Sequence, residues 1–226
     1  MDALLQSFFN IDIYRQVLPY LLQGLWTTLW LSALVIPLGV VGGLALAIVA
    51  TQTQQRWLRI TVAIYVDLFR AFPPLVLLIL IYFGLPFLGI EPPKLVAVAI
   101  SFMLNNSSYF AEVFRAGLGS IPAGQAEAAR ASGLSGRQTL TFVLVPQAVR
   151  NVLPDLLGNV IEVIKMTSLA SVVALPEMLK AARDTQAMLY NPSPVVLCAL
   201  LYLAVLWPLV RCLTYMEKRR RLGQNG

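Results

Sequence analysis

Histidine is absent from these 226 residues, so the side chain that most often shuttles protons or acts as a general base is missing. Charge is almost as scarce. Only 12% of residues are charged and 58% are hydrophobic, whereas a soluble globular domain carries roughly 25% charged residues. A water-soluble fold of this chain would have to expose a largely apolar surface. The two cysteines, Cys198 and Cys212, fall on one expected helix about 21 Å apart at 1.5 Å per residue, which excludes a bridge between them within it. There is no Gly-x-x-x-x-Gly-Lys-Ser/Thr loop and no soluble α/β stretch to hold one, so the chain is not expected to hydrolyse nucleotides itself. Neither metal-ligand spacing nor a nucleophile-and-base pair is present, which leaves a membrane-embedded enzyme unsupported.

What is present is long apolar runs. Gln16 to Gln55 contains no charged side chain, and its centre, Gly24 to Ala50, is long enough to cross roughly 30 Å of hydrocarbon as a helix. That centre exceeds the apolar region of a cleaved signal peptide, and Asp2, Asp12 and Arg15 do not make a basic leader, so the chain is expected to be mature from near its start. Further spans are expected at about 60–86, 95–117, 153–173 and 193–213, beside the first at about 24–50. The second is interrupted by Asp67, Arg70 and the Pro73-Pro74 pair. The third has a polar centre at Asn105-Asn106-Ser107-Ser108. The fourth follows a short approach helix that carries Pro146.

Five crossings place the termini on opposite sides, and Lys and Arg counts choose the orientation. With a cytoplasmic C-terminus, inside segments carry nine basic residues and outside segments four. The expected organisation is an external segment at 1–19, a transmembrane domain at 20–216 and a basic cytoplasmic tail at 217–226. That tail, next to a span, is explained by anionic lipid, and nucleic acid is not an expected partner.

Between spans three and four, residues 120–136 contain Pro122, five alanines and two flanking glycine turns. Pro122 suits a helix start, the alanines favour its continuation, and Gly133 suits the left-handed residue that ends it. Ser135 with Gln138 reads as a capping box for the next helix. A thin alanine helix lets a partner surface approach closely. The plainer reading is a connector lying on the membrane surface.

Glu127-Ala128-Ala129, Gly133 and Leu144-Val145-Pro146-Gln147-Ala148 resemble the EAA signature of ABC importer permeases. The resemblance continues through Asp67-Leu68-Phe69-Arg70-Ala71-Phe72-Pro73-Pro74-Leu75, Tyr82 to Pro86, Ala111 to Gly117, Pro122 with Gly124-Gln125, and Lys165-Met166-Thr167-Ser168-Leu169, and is closest to the polar amino acid subfamily. It implies an all-α, five-span, type I importer permease in the inner membrane, with its N-terminus outside. It also implies a helix around Glu127 to Ser132 seated in a groove of a separate ATPase, which uses the ATP and magnesium; no cofactor is expected on this chain itself. The coupling residues would be Pro122, Gly124, Glu127, Ala128, Ala129, Gly133 and Pro146. Two cytosolic ATP-binding cassette subunits, an identical or homologous permease and an extracytoplasmic solute-binding protein are the implied partners. Departures occur where Ala71-Phe72 replaces a common Gly-Thr, Ser132 a common leucine and Met166 a common aspartate.

The candidate solute path consists of Asn105, Ser108 and Glu112, which share one face of span three, and Asn159, Glu162, Lys165, Thr167 and Ser168 in span four. A mid-span lysine or acid costs roughly 2.5–3.5 kcal/mol on insertion scales, so Glu162 and Lys165 should face protein or a cavity. The alternative reading is a neutralising structural pair at a dimer seam. Glu112 has Arg115 as an alternative partner, and Thr167 and Ser168 have the preceding backbone. Asp67, Arg70 and Pro73 are candidates for gating or for structure alone. The expected cargo is a polar amino acid or similar solute, with an opine or another polar amine as the alternative. An ion-coupled secondary transporter would require a duplicated half, which is not evident, and would leave the alanine loop unexplained.

Overall fold

Prolines and glycines stop some helices, at Pro73, Gly89 and Gly133, while Ala174 and Tyr190 end others in the left-handed conformation. The computed structural model describes residues 7–224, with side chains to residue 219; the outermost part of the expected N-terminal segment, and the side chains of Arg220 and Arg221 of the tail, lie outside what is described. Helix α1 spans Ile11–Gln52 with Pro19 and Pro37 inside it, and its abundant Leu, Val, Ala and Ile suit lipid, where backbone groups are satisfied within the helix. Helix α2, Arg56–Ala71, is amphipathic and buries Val62 and Val66. It ends because Phe72, preceding Pro73, is held extended at φ −81° and ψ 126°. Helix α3, Pro74–Ile79, widens into a π-type turn over Leu80–Gly84 and tightens over Leu85–Leu88 before Gly89 stops it at φ 77°.

Helix α4 is Lys94–Gly119 and α5 is Ala123–Ala131. The short α6, Gly136–Gln138, opens with the expected capping box: Ser135 accepts from Gln138 N at 3.3 Å, and Gln138 Oε1 accepts from Ser135 N at 2.9 Å. A π-type turn over Thr139–Leu144 leads into α7, Val145–Asn151, with Pro146 at its start, where no amide hydrogen is needed. Helix α8, Leu153–Met166, tightens over Thr167–Val173; α9 is Met178–Leu189 and α10 is Ser193–Gln224.

Among the described residues, Ile11–Gln52, Leu153–Val173 and Ser193–Arg219 are each long and apolar enough to cross a membrane, and Arg56–Ala71 with Pro74–Leu88 qualifies as one broken pair. Helix α4 has the length but not the hydropathy, because Asn105 to Ser108 occupy its middle. Side chains such as Trp26, Ile64, Phe87 and Trp207 are more than half exposed, so the apolar exterior faces lipid or another subunit.

The chain divides into two compact units. The first comprises residues 7–36, 74–102 and 160–224, and packs Val17 and Leu21 of α1 against Met178 and Ala182 of α9 and Cys198 of α10. Gly24 permits this packing: a Cβ there would lie 2.7 Å from Met178 Cα. The second comprises residues 37–73 and 103–159 and centres on Val62, Val66 and Ala111. In it, Gly39 and Gly43 form a small-residue pair on α1, and a Cβ on Gly43 would approach Ala111 N to 2.7 Å.

Candidate functional site

The 120–136 segment forms a helix with an open surface. Pro122 caps α5, Ser132 ends it, and Gly133 sits at φ 89°. Gly133 N bonds Arg130 O at 3.0 Å and Leu134 N reaches back to Ala129 O at 3.2 Å, the reversal that a left-handed glycine allows. Ala129 is the buried residue of this helix; Gly124, Glu127 and Ala128 face outward. Among the described residues Glu127 has no ion pair. The helix therefore presents one acid on a thin, unobstructed surface.

The polar centre of α4 is buried and engaged. Asn105 Nδ2 donates to Phe69 O at 2.8 Å, Ser107 Oγ shares a 2.8 Å bond with Tyr65 Oη, and Ser108 Oγ donates to Asn105 O at 2.6 Å. Glu112 takes the alternative weighed for it, accepting from Arg115 Nε at 2.9 Å. Asp67 and Arg70 form no ion pair with each other; the Arg70 guanidinium lies 5.7 Å from the centre of the Tyr109 ring. Thr167 Oγ1 donates to Ile164 O at 2.7 Å and Ser168 Oγ to Lys165 O at 2.8 Å, so both hydroxyls serve the preceding turn.

Glu162 and Lys165 differ from these. They pair with each other, yet their side chains remain 68% and 47% exposed on the single chain, within a helix apolar enough to span a membrane. Asn159, one turn earlier, has its Nδ2 buried without a hydrogen-bond partner.

One residue with an unusual environment escaped sequence reasoning. Glu177 is fully buried at the start of α9, where it accepts from Leu179 N at 2.8 Å and Lys180 N at 2.6 Å and meets Tyr202 Oη at 3.4 Å. Loss of water pushes its carboxyl up from 4.5 to about 7, against the opposing pull of these donors. Its position just before a helix was the available signal, weakened because Glu is not among the favoured capping residues.

The fold is that of a multi-pass helical membrane protein with an exposed alanine helix. The family described as binding-protein-dependent transport system inner membrane component matches residues 39–222, and the chain belongs to that family. It is the permease subunit of an ABC-type importer, a non-enzymatic multi-pass protein of the inner (plasma) membrane that works with an ATPase and a solute-binding protein. It is 34% identical over 201 residues to the probable amino-acid ABC transporter permease protein YckA of Bacillus subtilis, covering 88% of each chain. It is 30% identical to the arginine transport system permease protein ArtQ of the same organism, covering 96% of this chain and 99% of the relative. Among solved structures, an amino acid ABC transporter crystallised with histidines matches at TM-score 0.81 and 30% identity, over 90% of this chain and 95% of that one.

Proposed function

We propose that this permease moves a polar amino acid across the inner membrane in five crossings, with its N-terminus outside and its C-terminus cytoplasmic. The supporting relatives are named for amino acid and arginine transport, and the solved neighbour is an amino acid transporter. The observation that carries the reading is the Glu162–Lys165 pair. Two opposite charges exposed on a membrane helix of the single chain require a protein or solvated surface opposite them, because lipid would not tolerate them. A second permease, identical or homologous, supplies that surface, and the path runs along the seam. An amino acid carries both charges, so a seam lined by an acid and a base can receive it without net charge. Two cytosolic ATPase subunits would drive the cycle through the 120–136 helix, with Glu127 as its polar contact.

The test is reconstitution in liposomes with the cognate ATPase and binding protein, after calorimetric titration of that binding protein against amino acids, opines and polyamines. ATP-dependent uptake of the amino acid bound most tightly supports the reading. Uptake by the permease alone under an ion gradient, or tight binding of only an opine or polyamine, would overturn it.

A further inference from the structure

At the turn between α1 and α2 lies an open cavity of about 720 Å³ whose lining divides by chemistry. Leu46, Ala47 and Ala50 of α1 form an apolar wall, and Arg56, Arg59, Asp67 and Arg70 of α2 with Glu112 and Arg115 of α4 form a charged one. Four guanidiniums face two carboxylates, leaving two positive charges in excess. Arg115 is committed to Glu112 and Arg70 lies over Tyr109. Among the described residues Arg56, Arg59, Arg70 and Asp67 have no ion pair, and of the four guanidiniums Arg56 and Arg59 have neither a carboxylate nor an aromatic ring against them.

The helix does not account for these two arginines. They occupy the first turn of α2, where the peptide dipoles already present positive charge and no acidic residue offsets it. Cations placed there raise the local potential, and an external anion lowers it. The depth is also informative. Trp57, 64% exposed, lies between them in sequence, and an exposed indole beside a charge-free span marks the headgroup level of a bilayer. A dissolved anion would need only the guanidiniums; an anion with an attached hydrocarbon chain also uses the Leu46, Ala47 and Ala50 wall.

We propose that this cavity holds the phosphodiester headgroup of an anionic phospholipid, with Arg56 and Arg59 on the phosphate and the upper acyl chain along α1. Arg56 and Arg59 belong to neither the candidate solute path nor the ATPase-facing helix, although the same charged wall carries Glu112, a solute-path candidate, and Asp67 and Arg70, candidates for gating; the proposal needs only the membrane setting of the family, not the proposed solute.

The full-length chain in detergent is titrated with phosphatidylglycerol, phosphatidylcholine or inorganic phosphate, and native mass spectrometry reads the bound lipid. Wild-type protein should prefer phosphatidylglycerol, Arg56→Gln/Arg59→Gln should reduce that preference by about tenfold, and Arg56→Lys/Arg59→Lys should largely retain it. Equal thermal unfolding midpoints in phosphatidylcholine micelles confirm that the variants fold alike; if the glutamine variant unfolds earlier, Arg56→Gln and Arg59→Gln are each read alone, and a stable one should show a partial loss. An undiminished preference in the stable glutamine variants would place the lipid elsewhere, such as the basic tail. Displacement of phosphatidylglycerol by millimolar inorganic phosphate would mean a site for free anions. Either result overturns the proposal.

Discussion

Asn105 donates its side-chain amide to the carbonyl of Phe69, 36 positions away, and thereby repairs the end of α2. In an uninterrupted helix the Phe69 carbonyl would accept from the amide of residue 73, and that of Arg70 from residue 74; both are prolines with no hydrogen to give. Tyr109 Oη takes the second role, donating to Arg70 O at 3.3 Å. The two residues sit one turn apart on α4, so one face of that helix closes both openings. The break in α2 is thus a satisfied structure. Asn105, a candidate for the solute path by sequence, spends its donor on this repair.

Removing that donor should cost stability. Asn105→Leu leaves the half-buried Phe69 carbonyl without that partner and is expected to destabilise the chain by about 1–3 kcal/mol, while Tyr109→Phe should cost about 0.5–1.5 kcal/mol. Denaturant unfolding in mixed micelles measures both. Equal stability of Asn105→Leu and wild type would show that water or another group satisfies the carbonyl.

Close helix contact at Gly43 makes a second expectation. A valine there must push Ala111 and Phe110 away, at roughly 1–3 kcal/mol by the usual cost of overpacking. Gly119→Ala, where nothing lies within 4 Å of the added carbon, should stay within about 0.5 kcal/mol of wild type. The same unfolding assay compares the two, and similar losses would count against the packing argument.

Glu177 makes stability depend on pH. Its folded carboxyl titrates near 7 and its ordinary value is 4.5, so between these values the folded chain holds a proton that the unfolded chain has released. The contribution of Glu177 to stability is therefore greatest below about pH 4.5, falls as pH rises toward 7, and levels off above it, by at most about 3 kcal/mol. Glu177→Gln should flatten that slope while keeping one acceptor for the α9 amides. Unfolding midpoints between pH 4.5 and 8 test this, and a variant with the wild-type slope would assign the dependence to another group.

Glu127→Lys reverses the charge on the exposed face of α5 without touching a buried contact. Membrane abundance should match wild type, while uptake per ATP hydrolysed falls about tenfold or more in the reconstituted complex. Unchanged coupling at equal abundance would reject the assigned role of this residue.

The charged pair of α8 yields to a double-variant cycle. Lys165→Met strands the Glu162 carboxylate and should strongly reduce uptake or pairing of subunits; adding Glu162→Gln should recover pairing, because no uncompensated charge remains. Recovery of pairing without transport would assign the pair to solute passage as well as to assembly. No effect of either single change would place both side chains in water.

The α5 helix was readable because everything that shapes it lies within sixteen positions: a proline to start, alanines to continue, a glycine to turn and a Ser-Gln box to open the next helix. The apolar runs were readable for the same reason, since lipid demands unbroken helix and leaves a compositional mark. The polar side chains inside those runs were not. Sequence could name Asn105, Ser108, Thr167 and Ser168 as unusual in a membrane and offered the preceding backbone to Thr167 and Ser168, where they do bond, but local spacing does not reveal the Phe69 carbonyl that Asn105 reaches 36 positions away. Glu177 was passed over because its hydrogen-bonded surroundings come from α1 and α10, distant in the chain, although apolar neighbours from Val172 to Leu175 and at Met178 and Leu179 flank it in sequence.

Sequence by itself determined the membrane class, the break at Pro73-Pro74 and the exposed small-residue helix after Pro122, since each follows from contacts between near neighbours or from composition against lipid. Tertiary structure alone decided that the proline break is closed by Asn105 and Tyr109, that Glu177 loses its water, and that Arg56 and Arg59 share a cavity with Leu46. Those outcomes depend on residues brought together across tens of positions, where hydrogen bonding and desolvation act over a few ångströms of space and leave no periodic trace along the chain.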